Sequence, residues 1–297
     1  QKAMPMKHFI ATAAFAILSA SCAEQTTQKE TITAIEAPSY EDATYELMLA
    51  TDVTWGALNP ARGENGPRAT NLWGDRTKEG PSGMLVKFKE GFASPPHIHD
   101  ATYRAVVLDG EIHNADKDAR ELWMPDGSFW TQPSGETHIT AARAATNMAF
   151  VEIDNGPYVV KPVEEAFETT ERPINVHDTN VVWLDGKDIN WLNKTGNLDG
   201  ASLAALWQSQ TNKKHKGFYL RLAPGFTGNI TTGEGDFKAV IVSGDASYKA
   251  ATATTPVTTM MGSYFGATGV SQHQITAGAK GVILYINTTA SFTAQHK

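Results

Sequence analysis

The feature that most constrains the fold of this 297-residue chain is an internal repeat. Short motifs of the first half recur in the second half 134 or 135 residues later, for example from Trp73 to Trp207 (207 − 73). Such long-period self-similarity indicates two copies of one module. We place the copies at residues 45–160 and 180–297, with a charged, proline-containing linker at 161–179. The recurring motifs are Leu72-Trp73 and Leu206-Trp207, Gly91-Phe92 and Gly225-Phe226, Ala105-Val106 and Ala239-Val240, Gly110 and Gly244, Gly127-Ser128-Phe129-Trp130 and Gly262-Ser263-Tyr264-Phe265, and His138 and His273.

Each copy has the sequence pattern of short β-strands. Brief apolar runs are separated by glycine, proline and asparagine, and beyond the N-terminal segment no run keeps a helical period. This pattern predicts an all-β fold with one closed barrel or jelly roll in each copy, hence two tandem barrels. The strand candidates are residues 84–88, 105–108 and 148–153 in the first copy and 218–222, 239–242 and 282–286 in the second.

Composition excludes several classes of protein. Hydrophobic residues make up 41% of the chain and charged residues 19%, which is sufficient to form a core. The net charge of −7 argues against a broad basic surface, so we expect no nucleic-acid partner. The one cysteine, Cys22, excludes an internal disulfide, a cysteine-based zinc site and an iron–sulfur cluster.

The N-terminal residues have the pattern of an export signal. Residues 1–5 resemble an expression remnant, and the basic start, apolar run and small residues up to Ala23 are typical of a signal peptide. Cleavage after Ala23 would leave a soluble protein, whereas cleavage before Cys22 would leave a lipid-anchored one with residues 24–44 as a tether. We therefore expect an exported protein, periplasmic or lipid-anchored in a bacterial envelope, whose membrane contact is limited to a lipid on Cys22.

Three histidines in the first copy have metal-ligand spacing. His97 and His99 are two residues apart, so on a strand both imidazoles point to one face. In a barrel, the chain leading to His138 can return to lie against that strand. Three neutral imidazoles that converge inward would form a divalent metal site with open positions for water or substrate.

Two motifs around these histidines resemble those of the cupin superfamily. The first has the order Gly91, His97-Ile98-His99, Tyr103 and Gly110, and the second has the order Gly127, Pro133-Ser134-Gly135 and His138. Tyr103 stands where most metal cupins carry glutamate. The sequence is most similar to ChrR-like cupins and their uncharacterised relatives. The resemblance covers both copies, so the chain resembles a bicupin whose motifs are intact only in the first copy.

The resemblance implies a metal and a class of chemistry. It implies one divalent transition metal held by His97, His99 and His138, with Fe²⁺ or Zn²⁺ favoured and Mn²⁺ or Ni²⁺ as alternatives. It also implies a small, oxygen-rich organic substrate, and we favour dioxygenase chemistry over an isomerase, lyase or hydrolase reaction. Two alternatives stay open: a non-catalytic, sensor-like periplasmic module that binds metal or a small ligand, and a purely structural bicupin. A homodimer paired through sheet edges also fits the family.

Two further side chains are candidates for a catalytic role. Tyr103 shares strand parity with the histidines, and three roles stay open for it: a tyrosinate ligand, a general acid or base, or a neutral part of the pocket wall beside a three-histidine site. Glu136 precedes His138 and either orients that ligand or faces water.

The repeat predicts that the second barrel holds no metal. Thr231, Gly233 and Phe237 occupy the positions of His97, His99 and Tyr103, and of the ligands only His273 is kept. A single histidine cannot hold a catalytic metal ion, so we expect the second copy to supply stability, an interface or a pocket wall.

Overall fold

The computed structural model describes residues 39–189 and 198–297. The predicted signal peptide, Cys22 and most of the tether lie outside these ranges. Within them, no helix is both long and apolar enough to cross a membrane.

The described residues are almost entirely β-structure, as predicted. All six strand candidates form strands. The strands before residue 180 are β1 (Thr44–Met48), β2 (Gly56–Ala57), β3 (Arg68–Trp73), β4 (Gly80–Phe88), β5 (Ile98–His99), β6 (Tyr103–Asp109), β7 (Glu111–Ala115), β8 (Met124–Pro125), β9 (Phe129–Gln132), β10 (Ile139–Ala142), β11 (Asn147–Gly156), β12 (Val160–Lys161) and β13 (Ile174–Val176). Those after it are β14 (Leu184–Asp185), β15 (Ala201–Gln208), β16 (Lys216–Leu222), β17 (Thr227–Thr232), β18 (Asp236–Ala250), β19 (Val257–Met260), β20 (Tyr264–Thr268), β21 (Gln272–Thr288) and β22 (Phe292–His296). Short 3₁₀ helices span Pro60–Asn65, Val163–Glu165, Asp178–Asn180 and Gly186–Asp188.

Two large sheets repeat the same strand order. The first runs β13-β9-β6-β11-β4-β3-β2, and the main path of the second runs β1-β20-β18-β21-β16-β15-β14. The 134- and 135-residue spacings relate β3 to β15, β4 to β16, β6 to β18, β9 to β20 and β11 to β21. The sequence repeat therefore corresponds to a repeat of strand pairing.

The outer strands of the two sheets do not follow the repeat along the chain. Strand β1 pairs with β20, which places the N-terminal strand in the second sheet. Strand β13, from the linker, pairs with β9 in the first sheet. Residue 45, where we placed the start of the first module, thus lies within a strand of the second sheet.

Strand β6 separates two cores because both of its faces are buried. Tyr103, Ala105 and Val107 face one apolar cluster, while Val106 and Leu108 face another cluster that also contains side chains of the second half. Alternating side chains of a strand point to opposite faces, so a nearly continuous apolar run is expected for a strand covered on both sides. One face of β6 thus lines the site described below, and the other packs against the second half.

Candidate metal centre

Backbone pairing brings the three histidines together. His97 and His138 face each other in an isolated antiparallel bridge, in which each amide donates to the other's carbonyl at 3.1 and 3.0 Å. The amide of Gly135 donates to the carbonyl of His99 at 2.9 Å, which fixes the turn before His138 against β5. The two predicted motifs thus meet through main-chain hydrogen bonds.

The turn before His138 requires glycine. Gly135 has a φ of +78°, a conformation that residues with a side chain rarely adopt. A Cβ atom there would also lie 2.3 Å from the carbonyl oxygen of Phe167. The glycine of the Pro-Ser-Gly sequence therefore allows the chain to turn tightly between the two ligand segments.

The three imidazoles converge on one point. His97, His99 and His138 are all buried, and one ring nitrogen from each lies within 4.8 Å of the others. The Nε2 atoms of His97 and His99 are 3.2 Å apart. Three nitrogens that each bind one ion at about 2.1 Å are separated by roughly 3 to 3.5 Å, so the cluster has nearly the spacing of a metal site.

In each histidine, the second ring nitrogen, Nδ1, is hydrogen-bonded to a main-chain carbonyl. Nδ1 of His97 lies 2.9 Å from the oxygen of Pro95, Nδ1 of His99 lies 3.0 Å from that of Val159, and Nδ1 of His138 lies 3.2 Å from that of Glu136. Because a carbonyl only accepts, each Nδ1 carries the proton and each Nε2 presents a lone pair. Backbone carbonyls commonly fix metal-binding histidines in this way.

This arrangement fits a cation at the centre. With both Nδ1 atoms protonated, the Nε2 atoms of His97 and His99 cannot hydrogen-bond to each other, and two lone pairs face each other at 3.2 Å. A divalent ion between them would turn that repulsion into coordination. The donor set of three histidine nitrogens suits a divalent transition metal.

The histidines are neutral at physiological pH. Burial lowers the pKa of His138 to about 3, and it also lowers the pKa values of His97 and His99. Protons therefore do not compete with a metal for the Nε2 atoms near neutral pH.

Tyr103 lies beside the histidines, as the strand parity predicted. Its hydroxyl is buried, lies 3.3 Å from Nε2 of His138 and donates to Oδ1 of Asn114 at 3.1 Å. Burial raises the pKa of this hydroxyl well above its ordinary value, so the phenol is neutral in the metal-free protein.

Two amide side chains connect Tyr103 to the His138 segment. Asn114 donates to Oε1 of Gln132 at 3.0 Å, and Gln132 donates to the carbonyl of Glu136 at 3.1 Å. That carbonyl also accepts from His138. Sequence reasoning did not single out Asn114 or Gln132, because neither belongs to a motif and only pairing of β7 and β9 with their neighbours brings them inside.

Glu136 contributes its main chain to the site. Its carboxylate lies 3.3 Å from Nη1 of Arg172, and its carbonyl oxygen orients His138. The structure thus brings His97, His99, His138 and Tyr103 together, and it directs the Glu136 carboxylate to Arg172. A catalytic role for that carboxylate stays a prediction.

A cavity of about 350 Å³ is lined by His97, His99 and Tyr103. The ring of Tyr158 stacks on His99 with a centroid distance of 4.1 Å and lines this cavity. The buried indole of Trp130 lies in the same wall as Tyr103. Arg62 also lines the cavity, and sequence reasoning missed both Arg62 and Tyr158, which lie outside the histidine motifs.

The histidine of the second half has a different environment. His273 is fully buried, with Nδ1 3.0 Å from the hydroxyl of Tyr248 and Nε2 3.1 Å from that of Ser271. Both ring nitrogens are therefore engaged within the core. In the described ranges, the three-histidine group of the first half is the one cluster of potential metal ligands found.

Family comparison assigns the chain. A family model described as "Domain of unknown function (DUF4437)" matches residues 46–295. The chain belongs to the DUF4437 family. The match spans both repeats, so the family unit contains the metal-centre half and the second half together. No curated protein sequence matches the chain.

Solved structures show that this DUF4437 chain has a cupin fold. A provisionally assigned dioxygenase from Nostoc punctiforme PCC 73102 has a TM-score of 0.62 and 13% identity, with 86% of this chain and 87% of that chain covered. YlbA from Escherichia coli, of family DUF861, has a TM-score of 0.59 and 16% identity, with coverages of 82% and 90%. Oxalate decarboxylase from Lactobacillus farciminis has a TM-score of 0.54 and 10% identity, with coverages of 82% and 85%. These proteins have the cupin fold, and at such identities the likeness concerns the fold alone.

Proposed function

We propose that this DUF4437 protein is an exported, metal-dependent enzyme that binds one divalent transition metal through His97, His99 and His138. The observation that carries the proposal is that all three histidines place Nδ1 within hydrogen-bond distance of a main-chain carbonyl. Each ring donates Nδ1–H to a main-chain carbonyl and directs an unprotonated Nε2 to one point. Such an arrangement of buried lone pairs is unfavourable without a cation, so it supports a metal centre.

The proposed reaction class is a dioxygenase reaction on a small, oxygen-rich organic molecule. A divalent metal bound here would supply Lewis-acid polarisation of a substrate oxygen and, as Fe²⁺, a site for dioxygen chemistry. A non-redox isomerase, lyase or hydrolase reaction is the second choice. The printed assignment of the Nostoc neighbour as a dioxygenase is consistent with the first choice.

The chain's own residues would position the substrate and move protons. Tyr103 is a neutral phenol beside Nε2 of His138, so it can donate a proton or a hydrogen bond to a substrate oxygen. The Tyr158 ring lines the same cavity and offers a second phenol. Val86, Phe92 and Val151 form apolar walls of this cavity.

We propose two tandem cupin barrels, the first carrying the metal and the second lacking one, with ChrR-like cupins as the nearest relatives. We also propose a periplasmic or lipid-anchored location, with a lipid on Cys22 as the membrane contact and a homodimer as the assembly to examine. The matching strand orders of the two large sheets support the tandem arrangement.

Metal content tests the proposal most directly. Wild type, His97→Ala and His138→Ala are purified without chelator or affinity nickel, and bound metals are quantified by inductively coupled plasma mass spectrometry. His177→Ala is the matched control, because its ring lies on the partly exposed linker and bonds to Thr179. We expect one metal per chain in wild type and control, and a large loss in both ligand variants.

The identity of the metal then decides the assay. Iron directs the search to oxygen consumption with diketone and phenolic substrates, whereas zinc or manganese directs it to isomerase, lyase and hydrolase assays. Absence of metal from the wild type, even after reconstitution with Fe²⁺, Zn²⁺, Mn²⁺ and Ni²⁺ in turn, would contradict the proposal. A bound metal without turnover would favour the sensor-like alternative.

A further inference from the structure

Arg62 is held at the cavity by an ordered loop. The loop closes through a hydrogen bond from the amide of Leu58 to the carbonyl of Pro67 at 2.9 Å, and the amide of Arg62 donates to the carbonyl of Asn59 at 3.1 Å. Gly66 packs so tightly that a Cβ atom there would lie 2.8 Å from Cβ of Arg62. The loop therefore fixes the direction in which Arg62 leaves the backbone.

The charge of Arg62 has no counterpart in the cavity. Among the described residues that line the cavity, Arg62 is the one with a permanent charge, and no carboxylate lies in the lining. Its guanidinium lies 5.8 Å from the centroid of the Phe92 ring, and no ion pair or side-chain hydrogen bond holds it within the part of the chain described. By contrast, Arg104, Arg143 and Arg172 each pair with a carboxylate.

The rest of the cavity favours an apolar body with few polar atoms. Val86, Phe88, Phe92 and Val151 line it, together with the indole of Trp130. Arg62 is half-buried whereas His99 is buried, so the positive charge marks the end of the cavity that is nearer to solvent. His97 and His99 line the same cavity, and besides burial the charge of Arg62 helps to lower the pKa of His97. A ligand in this cavity can therefore contact both the guanidinium and a histidine.

We propose that the molecule bound in this cavity is a small monocarboxylate with an apolar body, whose carboxylate pairs with Arg62. Calling that molecule the substrate rests on the proposed function, whereas the binding itself does not. A guanidinium binds a planar carboxylate through two parallel hydrogen bonds, and such bonds are stronger in a partly dehydrated site. Without a metal, Arg62 is the single permanently charged group in the described lining, and one carboxylate matches its charge.

Binding of matched acids and amides tests this inference. The full chain, loaded with Zn²⁺, is titrated with benzoate, hexanoate and octanoate and with the corresponding amides, and binding is followed by calorimetry. The variants are Arg62→Gln, which removes the charge, and Arg62→Lys, which retains it. Arg120→Gln is the matched control, because Arg120 is exposed and lies outside the cavity lining.

We expect at least one acid to bind wild type and Arg120→Gln more tightly than its amide. Arg62→Gln should weaken acid binding by about tenfold or more, with amide binding unchanged, because only the acid forms the charged pair. Arg62→Lys should keep part of the preference for acid over amide, because lysine keeps the positive charge but lacks the planar guanidinium that forms two parallel hydrogen bonds. Equal affinities of acids in wild type and Arg62→Gln, or no acid preferred over its amide, would overturn the inference.

The same titration on metal-free protein separates this inference from the proposed function. If the protein takes up no metal but still binds acids in a way that depends on Arg62, the carboxylate site is supported and the proposed metal-dependent activity is contradicted. One metal per chain without Arg62-dependent acid binding would overturn the carboxylate site alone.

Discussion

Each histidine of the candidate metal centre uses one nitrogen for a main-chain contact and leaves the other available for a ligand. The carbonyls of Pro95, Val159 and Glu136 contact the Nδ1 atoms, so each of these contacts uses the main chain and not a side chain. Because the carbonyls belong to loops, the tautomers depend on where the backbone runs. The histidine types and spacing are visible in the sequence, and the nitrogen that each ring presents is not.

The role of Tyr103 is testable by removing a single oxygen atom. We expect Tyr103→Phe to keep one metal per chain, because the three Nε2 atoms remain in place. We expect turnover to fall by about 100-fold or more, because positioned acid–base groups contribute factors of this size. Metal analysis and steady-state kinetics on the same preparation check both results, and loss of metal in Tyr103→Phe would instead identify the tyrosine as a ligand.

At the scale of elements, turns determine whether the two ligand segments meet. The four motif glycines Gly91, Gly110, Gly127 and Gly135 all have positive φ values. The Pro-x-Gly turn is also held by two main-chain hydrogen bonds. The amide of Gly135 donates to the carbonyl of His99, and the carbonyl of Gly135 accepts from the amide of Phe167. The turn of the second motif therefore places His138 opposite His97.

Two glycine substitutions distinguish the effect of backbone strain from that of the close contact between Gly135 and Phe167. Gly135→Ala combines a positive φ with a clash against the carbonyl of Phe167, whereas a Cβ atom at Gly91 meets nothing within 4 Å. We expect Gly91→Ala to cost about 1–2 kcal/mol of unfolding free energy from the left-handed conformation alone. Gly135→Ala should cost more and should also weaken metal binding, as measured by chemical denaturation and Zn²⁺ titration. Equal losses of stability in the two variants, with metal affinity unchanged, would contradict the proposed function of the turn.

At the scale of the whole molecule, a buried carboxylate joins the two halves. Glu152 of β11 accepts hydrogen bonds from Tyr285 and Asn287 of β21, and Trp207 donates to Tyr285 at 2.8 Å. Arg104 stacks on Trp207 at 3.9 Å and pairs with Asp154. Burial raises the pKa of Glu152 to about 7, although the positive charge of Arg104 acts in the opposite direction.

This carboxylate makes stability depend on pH. Since the folded state holds a proton on Glu152 more tightly than the unfolded state does, stability falls as pH rises from about 4.5 to about 7. We expect Glu152→Gln to abolish this component, so its melting temperature relative to wild type should increase by about 2 °C or more between pH 5 and pH 8. Thermal unfolding across this range checks it, with the exposed Glu64→Gln as the control. A constant difference between Glu152→Gln and wild type would show that Glu152 does not titrate there.

The strands of the sheets were largely predictable from sequence, and the partners of the outer strands were not. Strands β4, β6 and β11 and their repeats in the second half contain the apolar runs that periodicity identified. Strand β1 has no such signal for its partner, because pairing with β20 depends on which sheet edge is open and on a contact over more than 200 residues of sequence. Local patterns determine strand formation, while edge pairing is decided by the assembled sheets.

The amino-acid sequence alone determined the all-β class, the repeat, and the set of His97, His99, His138 and Tyr103, because strand parity and motif spacing are local properties of the chain. Only the tertiary structure decided that Asn114 accepts from Tyr103 and donates to Gln132, and that Arg62 and Tyr158 line the cavity. It also decided that the Glu136 carboxylate pairs with Arg172. These contacts join residues from separate strands and loops. Their positions follow from strand pairing and packing, which no single stretch of sequence encodes.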